Sequence, residues 1–232
     1  MLKEKQGTLY VVSTPIGNLS DITYRAVEIL KSVDFIAAED TRHSKKILNH
    51  YNFQSTLISY HENNSSRQIP NILKKLNSGF NIALISDAGT PGISDPAYRL
   101  TREILKNNIK IVPIPGPSAL LAAIVASGLP TDRFLFEGFL PPKKGRNIRI
   151  ENIKNETATI IIFESPKRLS KTLKNLFQIL GNRPAVVCRE LTKLHEEFKR
   201  DTLQGLIDYY SKISPKGECV ILVGKDDKNV YF

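Results

Sequence analysis

Three segments rich in small residues and proline follow predicted strands, and each could hold a ligand through its backbone. They cover residues 13–21, 86–96 and 113–119 and read STPIGNLSD, SDAGTPGISDP and PIPGPSA. Small residues let backbone amides approach a ligand closely, and proline stiffens the surrounding loop. Ligands of open α/β sheets bind beyond the carboxyl ends of the strands. Together the segments predict a ligand site at one sheet edge, although a single feature such as Asp95 before Pro96 is also typical of an ordinary helix cap.

Two charged segments in the second half of the chain also end predicted strands. They read FESPKR at residues 163–168 and RELTKLHEE at residues 189–197. Charged groups are costly to bury without partners, so such clusters indicate either a ligand or mutual pairing at the surface. Both interpretations stay open on the residues alone. Ser165 is typical of a helix cap, which places a helix directly after the first of these strands.

The glycines, histidines and cysteines exclude several common chemistries. None of the 13 glycines lies two positions from another, so the chain has no dinucleotide-binding GxGxxG and no glycine-rich turn of the Rossmann-like methyltransferases. The sequence also lacks a Walker A loop, HExxH, GxSxG and any zinc-type spacing of cysteine and histidine. We therefore predict no metal site, and a serine nucleophile is poorly supported.

Apolar runs alternate with helical patterns in the first half of the chain, and this alternation predicts a parallel sheet covered on both faces. The predicted strands cover residues 8–12, 35–38, 57–60, 82–85 and 109–112. Apolar residues with a 3.6-residue period predict the intervening helices. They lie near residues 22–33, 47–48, 69–76 and 98–105.

The second half predicts a mixed sheet after a boundary rich in proline and glycine at residues 113–117. Its predicted strands lie near residues 134–137, 159–163, 185–189 and 219–223, with a further one at 196–200. The sequence thus predicts an α/β protein of two domains, residues 1–115 and 116–232. The first has a parallel sheet with helices, and the second has a mixed sheet with helices.

The charge balance favours a polyanionic partner, because neutralising phosphates releases counterions. The 232 residues include 33 Lys and Arg against 23 Asp and Glu, a net charge of +10. Two clusters are candidate RNA contacts, although solvated helix faces are the alternative: Lys143, Lys144, Arg146, Arg149 and Lys154, and Arg42, His43, Lys45 and Lys46.

The cysteines and the hydropathy of the sequence indicate the cellular compartment of the protein. Two cysteines, Cys188 and Cys219, make no disulfide framework and are expected to be buried and reduced. No apolar run approaches the roughly 18 residues of a membrane span, and the N-terminal residues lack the apolar stretch of a secretory signal. We expect a cytoplasmic protein without a membrane partner.

Eight motifs in order resemble the tetrapyrrole-methylase superfamily of S-adenosylmethionine (SAM) enzymes, and most closely its ribosomal RNA branch. They are LYVVSTPIGNLSDIT, AAEDTRHSKKIL, LISDAGTPGISDP, PIPGPSALLAA, FEGFLPPK, FESPKR, RELTKLHEE and KGE, which span residues 9–218. The resemblance implies SAM in a cleft between two α/β domains and a homodimer. It also implies 2′-O-methylation of a cytidine ribose in the decoding region of 16S rRNA, with the assembled small subunit as the expected form of the substrate.

The resemblance also implies which residues contact SAM. By position these are Ile16, Asp87, Ala88, Gly89, Thr90, Ile93, Ser118, Ala119, Glu164 and Leu191. The porphyrin branch has GxGPGD in the first loop and an acid in place of Thr90. This chain has PIGNLSD and a threonine, which favours an rRNA substrate over a porphyrinoid one.

A ribose hydroxyl is a weak nucleophile, so the acceptor side needs a base or a cation. Glu39 and Asp40 follow the second predicted strand, and the candidates ranked first are Asp40, Lys167, Glu190 and Lys193. The two histidines beside charged residues, His43 and His195, are weaker candidates. Two other functions stay open: a SAM methyltransferase for a porphyrinoid small molecule, and a SAM-binding ribosome assembly factor without turnover.

Overall fold

The structure is a computed structural model that describes residues 6–52, 55–225, 227 and 229–231. The chain divides into two compact units, of which the first ends at Ser118 and the second begins at Ala119. The predicted domain boundary, between residues 115 and 116, lies three residues earlier. None of the helices in the described ranges is long and apolar enough to cross a membrane.

The first unit is built on a five-stranded parallel sheet. Its strands are β1 (Thr8–Val12), β2 (Phe35–Ala38), β3 (Thr56–Ser59), β4 (Ile82–Ile85) and β5 (Lys110–Ile114). They lie in the order β3-β2-β4-β1-β5, and every neighbouring pair is parallel. The central strand β4 is buried along its whole length, which is why it reads as a continuous apolar run.

Two pairs of helices cover the two faces of this sheet. They are α1 (Tyr24–Ser32), α2 (Thr41–His50), α3 (Ser65–Asn77) and α4 (Ala97–Lys106). Apolar residues of α1 and α2 pack in one cluster with Val12, Ile36 and Ile85, whereas α3 and α4 pack in another with Leu9 and Leu84. Successive strand residues point to opposite faces, so one strand supplies both clusters.

The second unit has a five-stranded mixed sheet. Its strands are β6 (Phe134–Phe139), β7 (Thr159–Glu164), β8 (Pro184–Arg189), β9 (Glu197–Thr202) and β10 (Cys219–Val223), in the order β6-β7-β10-β8-β9. Only β6 and β7 pair in parallel, and the other three pairs are antiparallel. The predicted fold class, with a parallel first sheet and a mixed second sheet, is confirmed.

Four helices accompany the second sheet. They are α5 (Ala119–Ser127), α6 (Arg146–Asn152), α7 (Pro166–Leu180) and α8 (Leu203–Lys212). The last three share one apolar cluster with the strands. Cys188 and Cys219 are buried in the sheet, as expected, and burial raises the pKa of each thiol to about 12. Neither thiol is therefore reactive at neutral pH.

Candidate functional site

Sheet order brings the three predicted ligand loops together at one edge of the first sheet. The loops follow β1, β4 and β5, and β1 lies between the other two strands. Thr14 and Gly89 exchange two backbone hydrogen bonds, each 2.9 Å long, which join the first loop to the second. The carboxyl ends of three neighbouring parallel strands thus form one continuous surface, as the sequence predicts.

Thr90 connects all three loops through its hydroxyl group. Its Oγ1 donates to the carbonyl oxygen of Pro117 at 3.1 Å and lies 2.9 Å from the Oγ of Ser13. Because a hydroxyl group carries one proton, Ser13 must be the donor in the second bond. The residue at the position where the porphyrin branch carries an acid is therefore a structural link between the loops in this chain. The sequence does not predict a role for Ser13 itself within the first loop, because its hydrogen-bond partner is 77 positions away.

Two glycines let the loops approach one another closely. At Gly89, where φ is +78°, a Cβ atom would lie 3.3 Å from the Cγ2 of Ile16 and 3.8 Å from the oxygen of Pro117. At Gly116, a Cβ atom would lie 3.0 Å from the Cβ of Ser13. The two glycines therefore expose backbone atoms at positions that side chains would otherwise cover, and the half-buried side chain of Ile16 lies next to Gly89. This cradle fits a ligand that is held by main-chain groups and apolar contacts, as the adenosyl part of SAM requires.

The remaining predicted residues of the second loop differ in exposure. Asp87 is half-buried and accepts a hydrogen bond from the backbone N–H of Asp40 at 3.0 Å. Ala88 and Ile93 are exposed, so their surfaces are open to a ligand. Asp95 accepts from the N–H groups of Gly92 and Ala97 at 2.8 and 2.9 Å. It therefore binds the start of α4 as its position before a proline suggests, although the N-cap residue is Pro96, one position later than expected.

The two acids after β2 have opposite electrostatic environments. Asp40 caps α2 and accepts bonds from the backbone N–H and the guanidinium group of Arg42, which hold its pKa well below 3.8. For Glu39, burial first and then the charges of Asp87 and Asp95 raise the pKa above 4.5. A carboxylate with a raised pKa is the better proton acceptor, so the structure favours Glu39 where sequence ranking preferred Asp40. The sequence alone does not show this preference, because the raised pKa of Glu39 depends on burial and on two charges that folding brings near it.

In the second unit, Glu164 is enclosed by hydrogen-bond donors. Its Oε1 accepts from the N–H of Ser165 at 2.7 Å and from the guanidinium group of Arg168 at 2.6 Å. Its Oε2 accepts from the hydroxyl group of Thr172 at 2.6 Å, and Thr172 in turn accepts from Arg146 at 3.0 Å. The carboxylate is buried, and both of its oxygens are engaged within the unit. These bonds indicate a structural role, and the predicted contact with SAM stays a prediction.

Glu190 and Lys193 form an ion pair at the end of β8, and Glu218 completes it. Lys193 Nζ donates to Glu190 Oε1 at 2.9 Å and to Glu218 Oε2 at 2.8 Å. Burial lowers the pKa of Lys193, but the hydrogen bonds and charges of the two carboxylates outweigh it, so the pKa lies above 10.5. For the carboxyl group of Glu190 burial has the opposite effect and raises the pKa. The bonds from Lys193 and from the N–H of Glu218 outweigh it, so the pKa of Glu190 lies below 4.5. Both groups are charged at neutral pH, and Glu218 was not among the predicted residues.

The other predicted residues of the second unit lie in varied surroundings. Lys167 is exposed near the start of α7, and Leu191 is buried directly after Glu190. Ala119 is half-buried as the first residue of α5. The loop after β8 is strained, since Glu190 and Thr192 have φ values of +52° and +65°. Such values are uncommon in residues other than glycine, above all in a β-branched one.

The residues of the two basic clusters proposed as RNA contacts differ in burial and in pairing. Arg146 is only 3% exposed and donates to the oxygen of Pro141 and to Thr172, so its assignment as a phosphate contact is wrong. Arg149 is paired with Glu137. Lys143, Lys144 and Lys154 are exposed, as are the four residues of the other cluster, Arg42, His43, Lys45 and Lys46.

Comparison with known proteins identifies relatives over nearly the whole chain. The family model of the tetrapyrrole (corrin/porphyrin) methylases matches residues 8–207. The chain is 49% identical to "Ribosomal RNA small subunit methyltransferase I" of Halalkalibacterium halodurans over 228 residues, which are 97% of this chain and 79% of that protein. It is 46% identical to the protein of the same name from Thermotoga maritima over 221 residues, which are 95% of this chain and 100% of that protein.

Solved structures share the fold at much lower identity. A diphthine synthase superposes with a TM-score of 0.72 at 15% identity, covering 94% of this chain and 90% of its own. A cobalt precorrin-4 methyltransferase of cobalamin biosynthesis superposes with a TM-score of 0.69 at 17% identity, covering 94% of each chain. The resemblance carried by the eight motifs is thereby confirmed. The chain belongs to the tetrapyrrole (corrin/porphyrin) methylase family.

Proposed function

We propose that the chain transfers a methyl group from SAM to the ribose 2′-oxygen of a cytidine in the decoding region of 16S rRNA. The observation that carries this proposal is identity of 49% and 46%, over nearly the whole chain, to proteins named ribosomal RNA small subunit methyltransferase I. The threonine at position 90 and the net charge of +10 support rRNA over a porphyrinoid acceptor. We also propose a cytoplasmic homodimer that acts on the assembled small subunit.

SAM is the cofactor of the family, and when bound it supplies an electrophilic methyl group attached to a sulfonium sulfur. In the first unit the loop residues would hold it: Ile16, Asp87, Ala88, Gly89, Thr90, Ile93 and Ser118. Thr90 is hydrogen-bonded to Ser13 and donates to the carbonyl oxygen of Pro117. Thr14 donates to the carbonyl oxygen of Ser86, and these bonds order the loops before any ligand arrives. Ordered loops lower the entropic cost of binding, so these hydrogen bonds contribute to affinity.

On the acceptor side, we assign different roles to the cation and to the acids. Lys193 stays protonated between its two carboxylates, so it stabilises negative charge that develops on the 2′-oxygen and does not act as a base. Glu190 holds the ammonium group in place through the 2.9 Å bond. Lys167 supplies a second, exposed cation. Glu39 is the proposed proton acceptor, because its pKa is raised towards the pH at which a base is most effective.

The pair Glu39→Gln and Asp40→Asn tests this assignment. We expect Glu39→Gln to lower kcat about 100-fold or more, within the range of general base catalysis, with the Kd for SAM unchanged. In the wild type kcat should fall as the pH drops through the raised pKa of Glu39, because protonation removes the base. Asp40→Asn should lower kcat by less than about tenfold, since its carboxylate serves as a helix cap. Equal losses in the two variants would contradict the assignment, and so would unchanged turnover in Glu39→Gln.

The function itself is tested by transfer of radiolabelled methyl groups from SAM. The acceptors are small ribosomal subunits that lack the modification, naked 16S rRNA and a porphyrinogen. We expect label in rRNA within the subunit, at an alkali-resistant ribose that nuclease mapping places on a cytidine of the decoding region. Label only in the porphyrinogen would show that the substrate is a porphyrinoid and not rRNA. SAM binding without transfer to any acceptor would favour an assembly factor.

A further inference from the structure

The outer face of α2 is strongly basic. The helix covers Thr41–His50, and its ten residues include Arg42, Lys45 and Lys46 but no acid. All three basic side chains are exposed. The guanidinium group of Arg42 is held by Asp40, whereas no ion pair of the described residues involves Lys45 or Lys46. This face therefore offers cations to a polyanion at the edge of the sheet where the ligand loops lie.

An exposed aromatic ring accompanies these cations. Tyr24, the first residue of α1, is 93% exposed, and no ring among the described residues pairs with it. The helix start is fixed, because the hydroxyl group of Thr23 accepts from the N–H of Ala26 at 3.1 Å. The exposed ring is therefore carried by the fixed N-terminal end of α1, eight residues after Ile16 of the first ligand loop.

Packing places this ring and the basic helix on the same side of the first sheet. Ala26 of α1 and Ile47 of α2 belong to one apolar cluster on one face of the sheet. The Oη of Tyr51, the residue that follows α2, donates to the oxygen of Leu19 at 2.5 Å. Leu19 lies five residues before Tyr24. This hydrogen bond therefore connects the end of α2 to the segment that precedes α1.

Cations and an exposed aromatic ring on one face of a protein are the combination that binds single-stranded nucleic acid. Basic side chains follow the phosphates, and bases stack on the ring with little regard to sequence. A duplex leaves its bases stacked on one another and is recognised mostly by shape. We propose that Tyr24 and the basic face of α2 bind an unpaired segment of rRNA next to the nucleotide that is methylated. This inference rests on the proposed function and adds the form of RNA that the site accepts.

Fluorescence anisotropy of the SAM-loaded protein tests the ring. The probes are a labelled single-stranded RNA of about 12 nucleotides, within the usual site size, and a duplex of the same sequence. We expect Tyr24→Ala to weaken binding of the single strand about tenfold, the size of one lost stacking contact. Tyr24→Phe should retain affinity because it keeps the ring. Tyr98→Ala is the matched control, since Tyr98 is 63% exposed on α4, which covers the opposite face of the sheet.

The double variant Lys45→Gln/Lys46→Gln tests the charges. Two lost phosphate contacts should reduce the slope of log affinity against log salt by about 1.4, at roughly 0.7 for each contact with single strands. The control Lys171→Gln/Lys174→Gln removes the same charge from two exposed lysines of α7 and should leave the slope within error. Thermal denaturation and SAM titration of every variant confirm that the fold is intact.

Each outcome of these experiments has a distinct meaning. If the Tyr24 and Lys45/Lys46 variants bind RNA like their controls, or if the wild type prefers the duplex, the inference is overturned. Methyl transfer to rRNA by the same wild-type preparation would then leave the proposed function standing. If the variants lose RNA binding while the wild type methylates no rRNA, the surface is supported and the proposed function fails.

Discussion

Replacing Gly89 by valine is expected to weaken SAM binding at least about 100-fold, which corresponds to roughly 2.7 kcal/mol. The φ of +78° strains any residue with a Cβ atom, and a β-branched one most. The backbone cannot relax easily, because both of its polar groups are bonded to Thr14. The added side chain would also press on Ile16, whose Cγ2 lies 3.3 Å from the position of the new Cβ. Titration calorimetry with SAM measures the effect.

Gly92→Val is the matched control for backbone strain. Gly92 has a φ of +94°, but nothing lies within 4 Å of the position that a Cβ atom would occupy. We expect both variants to lose about 1–2 kcal/mol of unfolding free energy through strain. Only Gly89→Val should also lose SAM affinity, with Gly92→Val remaining within about threefold of the wild type. If the two variants lost SAM affinity equally, the cradle around Gly89 would not be the cofactor site.

Replacing Glu164 by alanine is expected to reduce the unfolding free energy by about 3 kcal/mol, since a broken buried ion pair leaves a charge uncompensated. The lost carboxylate accepts bonds from Ser165, Arg168 and Thr172. Arg168 would lose its partner, and so would the hydroxyl group of Thr172. For a chain of this size the melting temperature should fall by about 6–12 °C. Differential scanning calorimetry gives the measurement.

Glu62→Ala removes an acid from an exposed ion pair and serves as the control. Glu62 and Arg99 are 2.8 Å apart, but both side chains are more than half exposed. Exposed pairs contribute less than about 1 kcal/mol, so the melting temperature should change little. Glu164 is also a predicted SAM contact, and the same samples decide between the two roles. An unchanged melting temperature with lost SAM binding in Glu164→Ala would establish the ligand role and contradict the structural one.

In the second unit, the loop after β8 is strained at Glu190 and Thr192. Thr192 has a φ of +65°, and its buried hydroxyl oxygen has no hydrogen-bond partner among the described residues. Strained residues persist where the surroundings over-determine them. Here the ion pairs of Lys193 with Glu190 and Glu218 supply that constraint. The ammonium group that we assign to the acceptor side is thus held on a loop that its own contacts make rigid.

Local patterns in the sequence predict the elements of both sheets and the loops of the candidate cofactor site. Apolar runs such as Ile82–Ile85 and Cys219–Val223 predict buried strands, because burial on both faces requires apolar residues at every position. The predicted extra strand at 196–200 is present as β9 (Glu197–Thr202). Small residues and prolines after β1, β4 and β5 predict the ligand loops, because loop composition is also a property of neighbouring residues.

The partners of the charged and polar side chains depend on the folded structure. Arg146 reads as a surface cation in the sequence, yet it is buried against Thr172, 26 positions away. Glu39 and Asp40 are neighbours in the chain, but burial raises the pKa of Glu39, and so does the charge of Asp87, which follows the neighbouring strand of the sheet. A pKa or a hydrogen bond depends on atoms within a few ångströms, and folding brings these together from distant parts of the chain. Periodicity and loop composition are local and can be read from the sequence, whereas the electrostatics of the site arise only when the strands assemble.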